Sequence, residues 1–389
     1  MTYTILTTCP SYGSRNVGDK LIEQRTRELV LREKGPGQFL TIFREEPLDD
    51  QLAEINASRA VLMPAFPIRD TPMHPGTYRL VDDLSRIQVP MVPIGANWNV
   101  YPGDDQSRRD IRYSEQTVAF LQHIAGQVDR VSCREHLVCR VLRKHGIHNM
   151  VMTGDPAFFD LPSLGKPMAR PSRVERLAFS PPLSPFFVEQ AESIMDMLAG
   201  MFPAAERFCA MHLADADTSP SLQSENSAAM SPEVAQKNRR IRQRAAQLGF
   251  ECLDLAGNLE AMSAYDACDL HVGYECHAHL YFLSRRRPSV LIAEDARGVG
   301  FNYTLGVGGV TGFVRAQRGL REVRKRHTSG YCTTLRELAL APPRADVPEL
   351  VWGFLEEELD TAFRRYAGLS AYLDELYERV MRPFIRSLP

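Results

Sequence analysis

A chain of 389 residues exceeds what one hydrophobic core commonly organises, so two domains are expected. Its 44% hydrophobic and 24% charged content describes an ordinary water-soluble globular protein, and a net charge of −2 gives no general attraction to nucleic acid. With no basic-then-apolar start, no apolar run long enough for a bilayer and no C-x-x-C pair among eight cysteines, the expectation is a cytoplasmic protein with reduced thiols and no metal site.

Tyr3 to Cys9 is apolar and β-branched and predicts an opening strand. The turn PSYGSRN follows, and then a helix from Val17 to about Lys34 with Asn16 as its N-cap and Asp19 in the capping-box position. Val17, Leu21, Ile22, Leu29 and Val30 recur at helical spacing, so this helix packs on a sheet. A strand, a turn with Gly13 and Gly18, and a helix start form an anion site if their N–H groups are open; a structural turn explains the same residues equally well. Further strands are expected at Leu40 to Phe43, Ala60 to Pro64 and Pro90 to Ile94, the last running into the loop GANWNVYPGDD. A helix from about Ser114 to Ala125, a short strand Arg130 to Ser132, a helix Glu135 to His145 and a strand Asn149 to Thr153 complete a doubly wound α/β domain. It spans residues 1–170.

Gly165 to Arg176 is rich in Pro, Arg and Ser and reads as a linker. A second alternating set, residues 177–330, begins near Leu177. Phe208 to Leu213 predicts a strand closed by His212. Residues 214–232 show no periodic apolar face and suggest a flap over a site. The helix Pro232 to Leu248 carries Arg239, Arg240, Arg242 and Arg244, a pattern usual for a solvated face. Gly249 ends it, and Phe250 to Leu255 is the next strand.

The stretch Tyr265 to Phe301 organises the rest. It contains an apolar strand (Leu270 to Tyr274), a polar turn with Glu275, Cys276 and His277, and a helix from about His277 to Ser284. Arg285, Arg286 and Arg287 follow, suited to a helix C-terminus, and then a strand from Ser289 to Ala293 with Glu294 and Asp295 at its end. Parallel sheets collect ligands at the C-terminal ends of their strands, which is where His277, His279 and Glu294 fall. Residues 331–389 form a C-terminal helical segment, with Leu350, Phe354, Leu355, Leu359 and Phe363 as core positions.

Three segments together resemble the polysaccharide pyruvyl transferase family. Gly13-Ser-Arg-Asn16-Val-Gly18-Asp19 is similar to its G-x-x-N-x-G-D opening. Ser132-Cys-Arg134-Glu135 and Thr153-Gly154-Asp155-Pro156-Ala157 are similar to its S-x-R-D and G-D-P-A pattern. Asp269 to Phe301 is similar to its strand, R-x-H, helix and strand, except that Glu275 stands where the family has Arg. The resemblance implies two Rossmann-like domains facing a cleft, the GT-B-like arrangement, and cytoplasmic transfer of a pyruvyl group from phosphoenolpyruvate, a co-substrate rather than a cofactor. The acceptor would be a saccharide or lipid-linked saccharide of a cell-surface polysaccharide, reached without a transmembrane segment but with room for peripheral membrane contact.

Under that reading His277 is the general acid, Asp155 orients or activates sugar hydroxyls, and Arg134 holds phosphate or carboxylate with the amides of Gly13, Asn16, Gly18 and Asp19. His212 and His279 are further cleft candidates. The Glu275 departure leaves two alternatives: a nucleotide-sugar glycosyltransferase in which Glu275 or Glu294 binds a ribose diol, and a carbohydrate-binding relative without catalysis.

Overall fold

A computed structural model describes residues 1–10, 13–69, 72–213, 232–316, 332 and 334–389. Short apolar strands alternate with helices in it, and strands such as Val61–Pro64 and Ser289–Ala293 are buried along their whole length. Such continuous apolar runs belong to parallel sheets covered by helices on both faces.

In the first lobe β1 (Thr2–Thr7), β2 (Gln38–Phe43), β3 (Val61–Pro64) and β4 (Met91–Ile94) run parallel in the order β2-β1-β3-β4. A parallel bridge from Ala96 to Cys133 attaches the pair β5 (Val131–Cys133) and β6 (Met150–Met152). The second lobe is a six-stranded parallel sheet. Its strands are β7 (Arg176–Ser180), β8 (Glu206–Met211), β9 (Phe250–Asp254), β10 (Leu270–Gly273), β11 (Ser289–Ala293) and β12 (Gly309–Thr311), in the order β9-β8-β7-β10-β11-β12. That is a doubly wound order whose direction reverses between β7 and β10, the place where such sheets open a crevice. The two Rossmann-like lobes face each other across their strand ends, a GT-B-like arrangement.

Helix α1 (Val17–Lys34) begins at Asn16, whose side chain accepts from the Gly18 N–H, as its sequence implies. Asp19 does not close a capping box: its carboxylate takes the Ser14 hydroxyl at 2.7 Å. Helices α2 (Glu115–Gly126) and α3 (His136–Lys144) cover the first sheet, and Glu135 caps α3 by accepting from the N–H groups of Leu137 and Val138. In the second lobe α4 (Val188–Met201), α5 (Pro232–Gln247), α6 (Cys276–Ser284) and α7 (Ala296–Leu305) follow β7, β8, β10 and β11. The arginine row on α5 is a solvated face where Arg240 pairs with Glu192 at 2.6 Å and Arg244 with Asp196. Most of the expected flap, residues 214–231, lies outside the described residues.

The lobes touch through main chain. At Gly103, where φ is +78°, an added Cβ would lie 2.1 Å from Ala296 Cα at the start of α7. The Ala296 N–H donates to Val100 O at 3.2 Å. One apolar cluster runs through both lobes and includes Ile22, Phe158, Phe301 and Val290.

The C-terminal segment is helical as expected, but in separate pieces: α8 (Val347–Asp360), α9 (Leu369–Leu376) and α10 (Arg382–Ser387), with single turns between them. It returns to the first lobe, where Glu33 of α1 accepts from Tyr377 Oη at 2.6 Å, Arg382 Nε at 3.1 Å and Arg386 Nε at 2.7 Å. No helix among the described residues is long and apolar enough to cross a membrane. All eight cysteines are free thiols.

Candidate active site

The strand ends that meet at the lobe junction carry Arg134 after β5, Asp155 after β6 and His277 in the first turn of α6. Arg134 is 2% exposed and Asp155 fully buried. The guanidinium lies 4.9 Å above the ring of Phe301 from α7, so a side chain of the second lobe floors a cation of the first. Its Nη1 is 3.9 Å from Asp155 Oδ2, too far for a hydrogen bond. Arg134 Nε and Nη2 and Asp155 Oδ2 have no hydrogen-bond partner among the described residues. Asp155 Oδ1 accepts from the Ala157 N–H at 2.9 Å, which fixes the plane of the carboxyl group. Burial pulls the Arg134 pKa below its usual value and pushes that of Asp155 up. Buried polar atoms without partners are rare in native proteins, and here donors and an acceptor lie open side by side.

His277 is placed by a glycine. A Cβ on Gly18 would come 1.8 Å from His277 Nδ1, so the imidazole rests directly on the backbone at the N-terminus of α1. The Nε2 of His277 has no partner among the described residues. Burial first, then the charges of Arg297, Arg134 and His212, hold its pKa well below the ordinary 6.5, so the ring is neutral at pH 7. His212, just after β8, donates or accepts through Nε2 to Tyr265 Oη at 2.7 Å and leaves Nδ1 without a partner. Burial lowers its pKa to about 3.

Carboxyl groups surround this core. Glu275 stands at the reversal point of the second sheet, where its N–H donates to Ser180 Oγ at 3.1 Å. Burial raises its pKa to about 8, with Arg297 opposing. Arg297 itself is clasped by Asp295, with Nε at 3.0 Å and Nη2 at 2.5 Å from Oδ2.

Several sequence expectations are corrected here. The Gly13 to Gly18 turn is not an open amide cradle. Gly13 N donates to Pro10 O at 2.9 Å, Ser14 N to Thr8 O at 2.8 Å and Asp19 N to Asn16 O at 3.2 Å. The N–H of Gly18 is taken by Asn16 Oδ1 at 2.8 Å and that of Asn16 by Ser14 Oγ at 3.2 Å. Gly18 contributes absence of a side chain rather than a donor. His279 does not join the site: its Nδ1 pairs with Ser289 Oγ at 2.7 Å, at the start of β11 and the opposite end of that strand from Glu294. Glu294 is committed to the loop after β7, accepting from Leu183 N at 2.8 Å and Ser184 N at 3.0 Å.

Two groups escaped the sequence reading. Phe301 was seen only as the end of a motif, yet it floors Arg134. Lys237 is 4% exposed and donates to Pro182 O at 2.5 Å. Its signal was available, because Val234, Ile241 and Ala245 form the buried stripe of α5 and Lys237 falls within it.

These buried groups predict a stability that falls as pH rises above 6.5. His212, His271, His277 and His279 have folded pKa values below 6.5, so in acid the unfolded chain binds protons that the folded chain refuses. Glu135, Glu275 and Glu294 are raised from 4.5 to about 7, 8 and 7, so above pH 4.5 the folded chain keeps protons that the unfolded chain loses. Asp155 is raised as well, so between pH 4.5 and 6.5 four imidazoles and four carboxyls oppose one another, whereas above pH 6.5 only the carboxyls act. Stability should therefore change little on the acid side of pH 6.5 and fall from there toward pH 8, by about 1.4 kcal/mol per pH unit for each net proton. Thermal melts across pH check this; a melting temperature still climbing beyond pH 8 would contradict it.

No family model matches the chain, and no curated protein matches it. Solved structures resemble it in overall course. A protein from Listeria monocytogenes assigned as a UDP-N-acetylglucosamine 2-epimerase aligns with TM-score 0.49 and 10% identity, over 100% of this chain and 97% of its own. The UDP-GlcNAc 2-epimerase of Neisseria meningitidis aligns with TM-score 0.45 and 8% identity, over 98% of this chain and 99% of its own. The wall teichoic acid polymerase TagF aligns with TM-score 0.43 and 11% identity, over 100% of this chain and 87% of its own.

Proposed function

We propose that the chain is a glycosyltransferase that takes a nucleotide-sugar donor between its lobes. The observation that carries this reading is the buried Arg134 guanidinium with two open nitrogens, set beside the open carboxyl oxygen of Asp155 and the open Nε2 of His277. A guanidinium with unpaired N–H groups suits a phosphate. Carboxyl groups that accept or donate suit sugar hydroxyls. Cationic capacity is limited, because Arg297 is spent on Asp295 while Asp155, Glu275, Glu294 and Glu135 lie close by. A hydroxyl-rich ligand of modest charge fits that balance better than phosphoenolpyruvate, whose phosphate and carboxylate sit on one carbon.

The chemistry follows from the protonation states. An acceptor hydroxyl attacks the anomeric carbon, its proton passes to neutral His277 Nε2, and the bond from that carbon to the phosphate oxygen breaks. Negative charge accumulates on the departing diphosphate, where Arg134 lies. Asp155 bonds a sugar hydroxyl and fixes the ring. Pyruvyl transfer is the second reading, favoured by convergence of the three motif segments: Gly18 lies against His277, and Arg134 over Phe301. That reaction needs His277 as an acid, whereas burial and two guanidiniums hold it neutral.

Calorimetric titration with UDP, GDP, CDP and phosphoenolpyruvate tests the choice. Binding of one nucleoside diphosphate is expected; binding of phosphoenolpyruvate alone would reverse the order of the two readings. His277→Gln should lower kcat by about 10²–10⁴-fold, leave nucleoside diphosphate affinity unchanged and remove the acid limb of the kcat/KM profile. An unchanged kcat would remove the histidine from the mechanism.

A further inference from the structure

At the C-terminal end of α6, the end opposite His277, lies an open cavity of about 720 Å³. Its walls are the interlobe linker, with Lys166 and Arg170, the segment bearing Asp266 and Asp269, and Arg285, Arg286 and Arg287. Five cations and two carboxylates line it, and Asp160 and Asp374 reach Arg285 and Arg286 from outside the lining, which leaves a local excess of one positive charge.

The guanidiniums that keep their charge uncompensated are those held by carbonyl groups. Arg287 Nη1 donates to Cys268 O at 2.5 Å, and Arg170 donates to Ala362 O at 2.7 Å and Thr361 O at 3.1 Å. Carbonyl oxygens orient a guanidinium but do not neutralise it. Arg285 is shared between Asp266 at 3.1 Å and Asp160 at 3.8 Å. Arg286 is 3% exposed, bonds Ser163 O through Nε at 3.1 Å and pairs with Asp374 through Nη2. Its Nη1 is buried without a partner among the described residues. Arg286 also holds φ at +63°, a left-handed conformation that L side chains take at a cost. Complementarity to the α6 dipole explains a cation at this end of the helix, but neither an open buried Nη1 nor the linker cations opposite.

We propose that this cavity is a second anion site, separate from the cleft, that takes a phosphate or diphosphate group. Arg286 lines the cavity and carries the unpaired Nη1, and Lys166, Arg170 and Arg287 supply charge at the rim. The phosphate could be carried by a soluble ligand or by a lipid headgroup, and the test separates the two sources.

Pyrophosphate is titrated calorimetrically into the full chain, its Arg134→Met variant, and variants Lys166→Glu and Arg287→Gln, which leave the Arg286 pair with Asp374 in place. Binding should persist in Arg134→Met and weaken about tenfold or more in each rim variant, with a shallower salt dependence. Cosedimentation with phosphatidylcholine vesicles, with and without phosphatidylglycerol, is measured alongside. Pyrophosphate binding without sedimentation identifies a soluble ligand. Sedimentation with the anionic vesicles alone, lost in Lys166→Glu, identifies a headgroup. Absence of both, or binding lost in Arg134→Met and unchanged in the rim variants, would overturn the proposal.

Discussion

Replacing Arg134 with methionine is expected to weaken nucleoside diphosphate binding by about 10²–10⁴-fold while leaving the free protein at least as stable as before. The two effects have one cause. In the free protein the guanidinium is buried, stands 3.9 Å from Asp155 and leaves Nε and Nη2 unbonded. Desolvation of such a cation costs several kcal/mol, and an ion pair at that separation offsets only part of it. Methionine fills a similar volume over the Phe301 ring without a charge to desolvate. Asp155 is not stranded by the change: burial raises its pKa and Arg134 opposes that, so loss of the guanidinium lets the carboxyl group take a proton. In the complex the balance reverses. Two charge-assisted hydrogen bonds to phosphate, each worth about 1.5–3 kcal/mol, disappear together, so affinity should fall by about 10²–10⁴-fold. Arg134→Lys should recover part of the binding, since it keeps the charge but loses the fork and the stacking on Phe301. Urea melts of the free proteins and titration with the nucleoside diphosphate measure the two quantities. A destabilised Arg134→Met protein would make this residue a structural ion pair and leave the cleft without its phosphate anchor.

What the sequence could show of this site depended on how far each feature reaches along the chain. Strand–helix alternation is local, and the parallel sheets followed from continuous apolar runs such as Ser289–Ala293. The C-terminal ends of strands are equally legible, which is why Arg134, Asp155 and His277 were found where they converge. His279 could have been set aside by geometry alone. Two residues on from His277 in a helix, it points about 200° away, under the sheet rather than toward the cleft. Glu294 could not have been set aside, since its partners Leu183 and Ser184 come from the loop of a distant strand. The glycine turn was ambiguous for a deeper reason. A glycine before a helix is used either to expose an amide or to admit a neighbour, and only the fold reveals the neighbour.

Gly18 makes that distinction measurable. Gly18→Ala would place its Cβ 1.8 Å from Nδ1, 2.1 Å from Cγ and 2.7 Å from Cβ of His277. The clash includes the root of the side chain, so a small turn of the ring tip cannot relieve it. His277 must leave its rotamer within the fully buried α6, or α1 must move away from the second lobe. Overpacking of this kind costs about 1–3 kcal/mol and displaces a catalytic group by roughly an ångström, which lowers rate by about 10²-fold. An amide-cradle role predicts something different, because alanine keeps its N–H and anion affinity would suffer only through the strain. The double variant Gly18→Ala with His277→Ala separates the two. Removing the imidazole makes room for the new methyl group, so the double variant should be more stable than the sum of the single changes allows, by at least about 1 kcal/mol in the cycle. Its turnover should stay as low as that of His277→Ala alone. Additive stabilities would show that the imidazole is not what Gly18 accommodates, and the placement of His277 against α1, with the base it supplies to the cleft, would fall with it.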